Sequence, residues 1–279
     1  MDGVLVVNKE KGMTSFDVVN KISRILEMRK VGHTGTLDPM AEGVLIVCLG
    51  KATKIVELLT AEDKEYIAEA KLGIDTDTYD SEGTILKEAE VPDNLPIEEV
   101  ISSFQKTYLQ EVPIYSAVKV NGKKLYEYAR EGKQVECPKR EVTIKEIELL
   151  SKTKDSFKFR VHVTKGCYIR SLIHDIGNTL GVPAIMTSLT RTKQGTVSIE
   201  EAYTLEEIQK GNYHLYKVEE VLDYPKIIVS KELEFKIKNG VRVPNEWNVK
   251  EKCMFLNEEN NLLGIYEVEN QELKVWKNF

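Results

Sequence analysis

The chain has 279 residues, of which 42% are hydrophobic and 30% charged, and its net charge is −6. That length exceeds a typical single domain and predicts one large domain with a small appendage, soluble and globular in composition. Met1 leads directly into Val4-Leu5-Val6-Val7, and the longest apolar run, Val44 to Leu49, is strand-sized, so no signal peptide or membrane span is expected and the cytoplasm is the expected location. Cys48, Cys137, Cys167 and Cys253 lack metal or redox spacing and read as reduced thiols. His33, His162, His174 and His214 are equally unsuited to hold a metal. The charge is unevenly spread. Residues 119–145 carry eight Lys and Arg against four Glu, whereas residues 62–99 carry thirteen acids against three lysines. The acidic run reads as a solvated face.

In chain order, Gly3 to Asn8 reads as a buried strand. Thr14-x-x-Asp17 is a capping-box-like start, with Asp in place of the usual Glu, and Val18, Ile22, Ile25 and Leu26 follow at helical spacing. A basic, Gly-rich loop from Lys30 then leads through Asp38-Pro39 into the apolar run ending at Val47. Pro39 pushes Asp38 towards extended geometry. A loop feeding a rigid strand is a common mount for a reactive group, yet on these residues alone Asp38 reads first as a turn residue bonding its own backbone. Thr53 to Thr60 predicts a short helix. Lys64 to Leu72 alternates as a half-buried strand, with Tyr66, Ala68 and Ala70 on one face. Gly73 to Gly83 departs from the calcium-loop pattern at Tyr79 and Asp80 and reads as a structured turn.

Pro96 to Lys106 predicts a helix with Pro in its first turn. Pro113 to Arg130 reads as a strand, a turn at Asn121-Gly122 and a helix. There, basic side chains interleave with Tyr115, Tyr126 and Tyr128, a mix that suits RNA or a solvated helix with half-buried tyrosines. Arg140 to Leu149 and Phe157 to Thr164 are alternating strands. Gly166 to Gly177 enters a helix with Ile169, Leu172, Ile173 and Ile176 on its apolar face, and Met186 to Lys193 is a further strand. Thr204 to Lys210 and Val218 to Leu222 close the large domain. Beyond Pro225, short strand candidates at residues 227–229, 253–256, 262–268 and 273–276 predict a small β-rich module. No phosphate loop or GxGxxG fingerprint is present, so no nucleotide cofactor is expected.

The run His33-Thr34-Gly35-Thr36-Leu37-Asp38-Pro39-Met40-Ala41-Glu42-Gly43-Val44-Leu45 resembles the catalytic loop of the bacterial tRNA pseudouridine synthase B family. Further segments resemble that family in the same order. They are Lys9 to Ser15 (Glu10 replacing a proline), the Thr-Asp-Thr-x-Asp turn at 76–80, the Pro-x-Tyr-Ser-Ala segment at 113–117 (Val112 replacing a proline), and Gly166-Cys167-Tyr168-Ile169-Arg170 with Leu189-Thr190-Arg191-Thr192. The resemblance implies an α+β fold with a mixed, largely antiparallel central sheet and flanking helices. It implies a catalytic domain over residues 1–224 with a basic, RNA-clamping insertion at about 113–145, and a PUA-like β module over 225–279. The implied reaction isomerises the T-loop uridine of tRNA, position fifty-five, without metal, cofactor or guide RNA, by a cytoplasmic monomer.

The resemblance also implies roles. Asp38 would be the nucleophile, towards ribose or base. His33 would occupy the space left by the flipped uridine, Tyr66 would stack on the uracil, and Tyr168 and Leu189 would line its pocket. Arg170 would hold Asp38 in a bidentate ion pair, and its place at a helix start, where a cation is disfavoured, independently points to such a role. Lys119 and Arg191 would assist. Three other readings remain open on sequence: a guide-dependent relative with the same Asp loop, an RNA chaperone with Asp38 idle, and a two-carboxylate glycosidase drawing on Asp75, Asp77 or Asp80.

Overall fold

Strand Gly3–Lys9 is apolar on both sides because both sides are covered. Leu5 and Val7 pack on Val18 and Ile22 of helix Ser15–Ile25, while Val4 and Val6 belong to a second core on the opposite face. The helix opens with the expected capping box, Thr14 and Asp17 bonding each other's backbone N–H. In the computed structural model, which describes residues 1–279, this strand is one edge of a large sheet. Across that sheet the strands run in the order Gly3–Lys9, Glu42–Leu49, Ala184–Gln194, Lys64–Leu72, Ser156–Val163, Lys139–Lys152 and Thr107–Glu111. All neighbours along this path are antiparallel except Ala184–Gln194 beside Glu42–Leu49, a parallel contact of two residue pairs. The sheet is thus mixed and largely antiparallel.

Helix Ile169–Leu180 covers the middle of the sheet. Its Leu172, Ile173 and Ile176 are fully buried with Ala68, Ala70, Phe159 and Val161 of the strands beneath. Ala68 and Ala70 leave room for the larger helix side chains. A five-stranded sheet formed by residues 226–278 lies against the first strands of the large sheet. Met254, Leu256 and Ile265 share a core with Val4, Val6, Val44 and Ile46, and a separate core around Phe255 and Tyr266 fills the other face.

The structure departs from the sequence reading at several elements. Residues 53–60 are not one helix: a 3₁₀ segment, Gly50–Ile55, runs into helix Val56–Ala61. Pro96 caps helix Ile97–Ser103 from outside rather than standing in its first turn. Edge strand Thr107–Glu111, the short strand Val31–His33 and helix Lys231–Lys238 were not expected. At 113–130 the strand is only the short Lys119–Val120, paired with Lys123–Lys124 across Asn121-Gly122, both with positive φ as a tight hairpin requires. Helix Leu125–Arg130 follows.

Candidate active site

The Asp38 loop is fastened on three sides. Ala41 N–H donates to Asp38 O at 3.0 Å, closing a turn with Pro39 in the position its fixed φ suits. Ser15 Oγ accepts from Leu37 N–H at 2.8 Å, and Gly12 N–H donates to Pro39 O at 2.7 Å. Fully buried Lys9 donates to the carbonyls of Glu10, Met13 and Pro39 at 3.0, 2.6 and 3.4 Å. Burial lowers its pKa to about 8, against the raising effect of Asp38.

The far end of the loop meets the sheet at Gly43, which pairs with Arg191 at a φ of 101°. A Cβ there would lie 2.3 Å from the Arg191 carbonyl oxygen, so only glycine permits the approach. The buried Arg191 guanidinium then donates to Val44 O at 2.7 Å through Nε and to Gly35 O at 3.1 Å through Nη2, tying together the two ends of the loop.

Sheet register supplies the wall facing the loop. Tyr66 lies directly opposite Arg191, and Leu189 opposite Ala68. Because alternate residues share a face, Lys64, Tyr66, Leu189 and Arg191 all project to one side. With Tyr168 and Arg170 at the start of helix Ile169–Leu180, they line a cleft of about 650 Å³ that contains Asp38. Tyr168 is held by Gln110, whose Oε1 accepts from Tyr168 N–H at 2.8 Å and whose Nε2 donates to Tyr168 O at 3.1 Å. Tyr66 is buried at the cleft wall, 8% exposed, and burial raises its pKa against the lowering effect of Arg191.

Arg170 contacts Asp38, but not bidentately as expected. Nε alone reaches Asp38 Oδ2, at 2.9 Å. The other nitrogens are occupied: Nη1 donates to Thr78 O and Nη2 to Tyr115 O, each at 3.0 Å, and Nη1 lies 3.7 Å from Asp80 Oδ2. The Arg170 and Asp80 side chains are only 5% and 8% exposed, whereas Asp38 is 37% exposed. Asp80 is fixed in turn by Thr78 Oγ1–H at 2.6 Å and Glu82 N–H at 3.0 Å, both donating to its Oδ1. A buried guanidinium with four oxygen neighbours aims one half-exposed carboxylate into the cleft. Such a carboxylate can act as nucleophile or general base. No group of three or more His, Cys, Asp or Glu is gathered so as to hold a metal ion.

Of the residues singled out in the sequence, Asp38, Tyr66, Tyr168, Arg170, Leu189 and Arg191 converge on this cleft. His33 ends strand Val31–His33 and does not line the cleft; it is half-buried with Nδ1 unpartnered, and burial followed by Arg191 lowers its pKa. Lys119 is exposed on the 119–124 hairpin, outside the cleft. Tyr126 and Tyr128 already carry cations on their faces: Arg130 and Lys124 lie 5.2 and 5.4 Å from the Tyr126 centroid, and Lys123 lies 5.0 Å from that of Tyr128. Sequence reasoning gave no role to Lys64 or Gln110, saw Lys9 only as part of a family-like segment, and saw Asp80 as part of a structured turn and a spare carboxylate. The signal for Lys64 was available, since the alternation that buries Tyr66, Ala68 and Ala70 places Lys64 on the same face.

Two family models match consecutive stretches of the chain: the N-terminal domain of the TruB family of pseudouridylate synthases over residues 23–169, and the tRNA pseudouridylate synthase B C-terminal domain over residues 170–225. The chain belongs to the TruB family. Among its relatives, the tRNA pseudouridine synthase B of Fusobacterium nucleatum is 43% identical over 282 residues, covering 98% of each chain. That of Clostridium acetobutylicum is 43% identical over 286 residues, covering 99% of each. Solved structures with the same fold include a Cbf5-Nop10-Gar1 complex, with TM-score 0.76 and 27% identity over 99% of this chain and 84% of that one. An H/ACA RNP bound to a substrate RNA containing 2′-deoxyuridine gives 0.75 and 25%, with the same coverage.

Proposed function

We propose that this chain is a stand-alone tRNA pseudouridine synthase that isomerises the T-loop uridine at position fifty-five, with Asp38 as nucleophile. The observation that carries the reading is the aimed carboxylate: Asp38, held by Arg170 Nε at 2.9 Å, is open to a cleft walled by Tyr66, Tyr168 and Leu189. Full-length likeness to bacterial relatives named for the tRNA reaction supports the substrate.

The uridine is flipped out of the folded T loop, at about a few kcal/mol of unstacking, and stacks on Tyr66. Asp38 adds to the ribose or the base, the C1′–N1 bond breaks, and C1′ rejoins at C5. The C5 proton leaves and N1 gains one from solvent, so the product is an isomer and no redox partner or energy cofactor is consumed. Tyr66 assists removal of the C5 proton. The apolar walls exclude water from the detached base. Residues 1–224 form the catalytic domain, the basic segment at 113–145 clamps the stem-loop, and residues 225–279 form a PUA-like module. The protein acts as a monomer in the cytoplasm without a guide RNA.

The test is tritium release from a T-arm hairpin carrying uridine labelled at C5, with wild type and Asp38→Asn side by side. Release by wild type alone is the expected result. No release by wild type from a hairpin it binds would overturn the stand-alone reading in favour of a guide- and partner-dependent enzyme, or of an RNA chaperone; the similar Cbf5 structure is a complex with Nop10 and Gar1.

A further inference from the structure

Two buried cations that line the cleft make no ion pair with Asp38, although Arg191 fastens the loop that carries it. Lys64 is 7% exposed and Arg191 is 1% exposed. Neither is ion-paired: no carboxylate oxygen comes within 4.0 Å of either, and the nearby Asp38 is engaged by Arg170. Lys64 Nζ donates to Thr60 O at 2.6 Å and to Glu62 O at 2.5 Å. An ammonium has three donors, so one remains. Lys9 adds a third unpaired, buried cation behind the loop. Burying a charge without a paired partner is unfavourable, and two such cations, Lys64 and Arg191, line this cleft. The free Lys64 donor is available to negative charge that enters the cleft.

We propose that Lys64, backed by Arg191, is a catalytic residue that stabilises the negative charge developing on the carbonyl oxygens of the flipped uracil. The inference rests on the isomerase reading and names the residue that handles its anionic stage. When Asp38 bonds to C1′, the electron pair of the C1′–N1 bond stays with uracil and is shared by its ring carbonyls. If Asp38 adds to the base instead, the pair from the attacked ring double bond passes to a carbonyl oxygen. Either way the base is the anion; the C1′–C5 bond neutralises it, loss of the C5 proton returns the charge to the ring, and a proton taken up at N1 from solvent discharges it.

Location favours the base over an RNA phosphate. Lys64 and Tyr66 are two residues apart on one strand face, about 6.8 Å along the strand, so a ring stacked on Tyr66 turns an edge towards Lys64. The exposed cations at the rim, Arg140 and Lys165, are placed for hydrated phosphates. A fixed donor in a water-poor site is the arrangement that stabilises developing charge most strongly.

The test compares wild type, Lys64→Met and Lys64→Arg in single-turnover isomerisation of T-arm hairpins carrying uridine or 5-fluorouridine at the target. Loss of the parent nucleoside is followed by digestion and chromatography. Lys64→Met is expected to slow uridine turnover by about 10²- to 10³-fold while hairpin binding stays within roughly threefold of wild type. The defect should shrink several-fold with 5-fluorouridine, because fluorine acidifies the ring and the base then carries its own charge. Lys64→Arg should restore most of the rate.

The Lys64 pKa is lowered to about 8, chiefly by burial and then by Arg191 and Lys165, against Glu62 and Asp63. The wild-type rate should therefore fall as pH rises through about 8, and Lys64→Arg should abolish that limb. A merely structural lysine would move neither the fluorine dependence nor the pH limb. Equal slowing of both substrates would overturn the proposal. So would weakened binding with an unchanged saturated rate and a salt slope reduced by about one, the signature of a phosphate contact. Failure of wild type itself to turn over either hairpin would instead refute the isomerase reading.

Discussion

Replacing Arg170 by Met separates what this residue does for the fold from what it does for Asp38. The Asp38 carboxylate is 37% exposed and can rehydrate, so losing its partner costs about 1 kcal/mol or less. Asp80 is different. Its side chain is 8% exposed, and Arg170 is its ion-pair partner. Removing one member of a buried pair costs about 3–5 kcal/mol, which lowers the melting temperature by roughly 6–20 °C for a domain of this size. Asp80→Asn removes the stranded charge, and its amide oxygen can still accept from Thr78 Oγ1 and Glu82 N–H as Oδ1 does now. The double variant Arg170→Met/Asp80→Asn should therefore recover at least half of the lost stability. Activity should not recover, because Asp38 is no longer aimed and a displacement of ~1 Å costs about 10²-fold. Thermal unfolding of the two single variants and the double variant, with tritium release on each, closes the cycle. Additive stabilities would refute the argument that Asp80 is the charge Arg170 neutralises, as would recovered activity in the double variant.

Gly43→Ala should cost about 2–4 kcal/mol, combining left-handed strain with a clash against the Arg191 carbonyl. Chemical denaturation measures it, and a loss under ~0.5 kcal/mol, the range of neutral surface changes, would show that the two strands can separate cheaply. Lys9 has an ordinary pKa of 10.5 and a folded value of about 8, so the unfolded chain holds the extra proton between those values. Stability therefore rises with pH across that window, by roughly 3 kcal/mol from this group. Unfolding free energies of Lys9→Met between pH 8 and 10.5 should lack that part of the wild-type slope; parallel curves would mean that Lys9 is not held in the folded state as described.

The framework was legible where periodicity was strong and local. The strand at 64–72, the helix from residue 169 and the strand pair at 139–163 follow from alternation or helical spacing, and the structure places them within a few residues of the sequence reading. Strand Thr107–Glu111 was not legible, because an edge strand exposing Leu109 has no apolar face to announce it. The candidate site divides in the same way. Family likeness supplied Asp38 and Arg170, but the sharing of Arg170 among Asp38, Asp80, Thr78 and Tyr115 depends on tertiary geometry. The buried lysines were missed because a lysine reads as solvated unless its strand face is followed to the end.

Strand Ala184–Gln194 occupies a slot between Glu42–Leu49 and Lys64–Leu72, both far upstream in the chain. During synthesis from the N-terminus, the ribosome has released two-thirds of the protein before that slot can be filled. Until then the loop bearing Asp38 lacks the guanidinium that joins its ends, and the wall opposite Tyr66 is missing. Long-range strand insertion of this kind is slow relative to local pairing. Nascent chains that stop short of residue 194 therefore have no closed cleft, and the site can be completed only after the last strand along that path has been made.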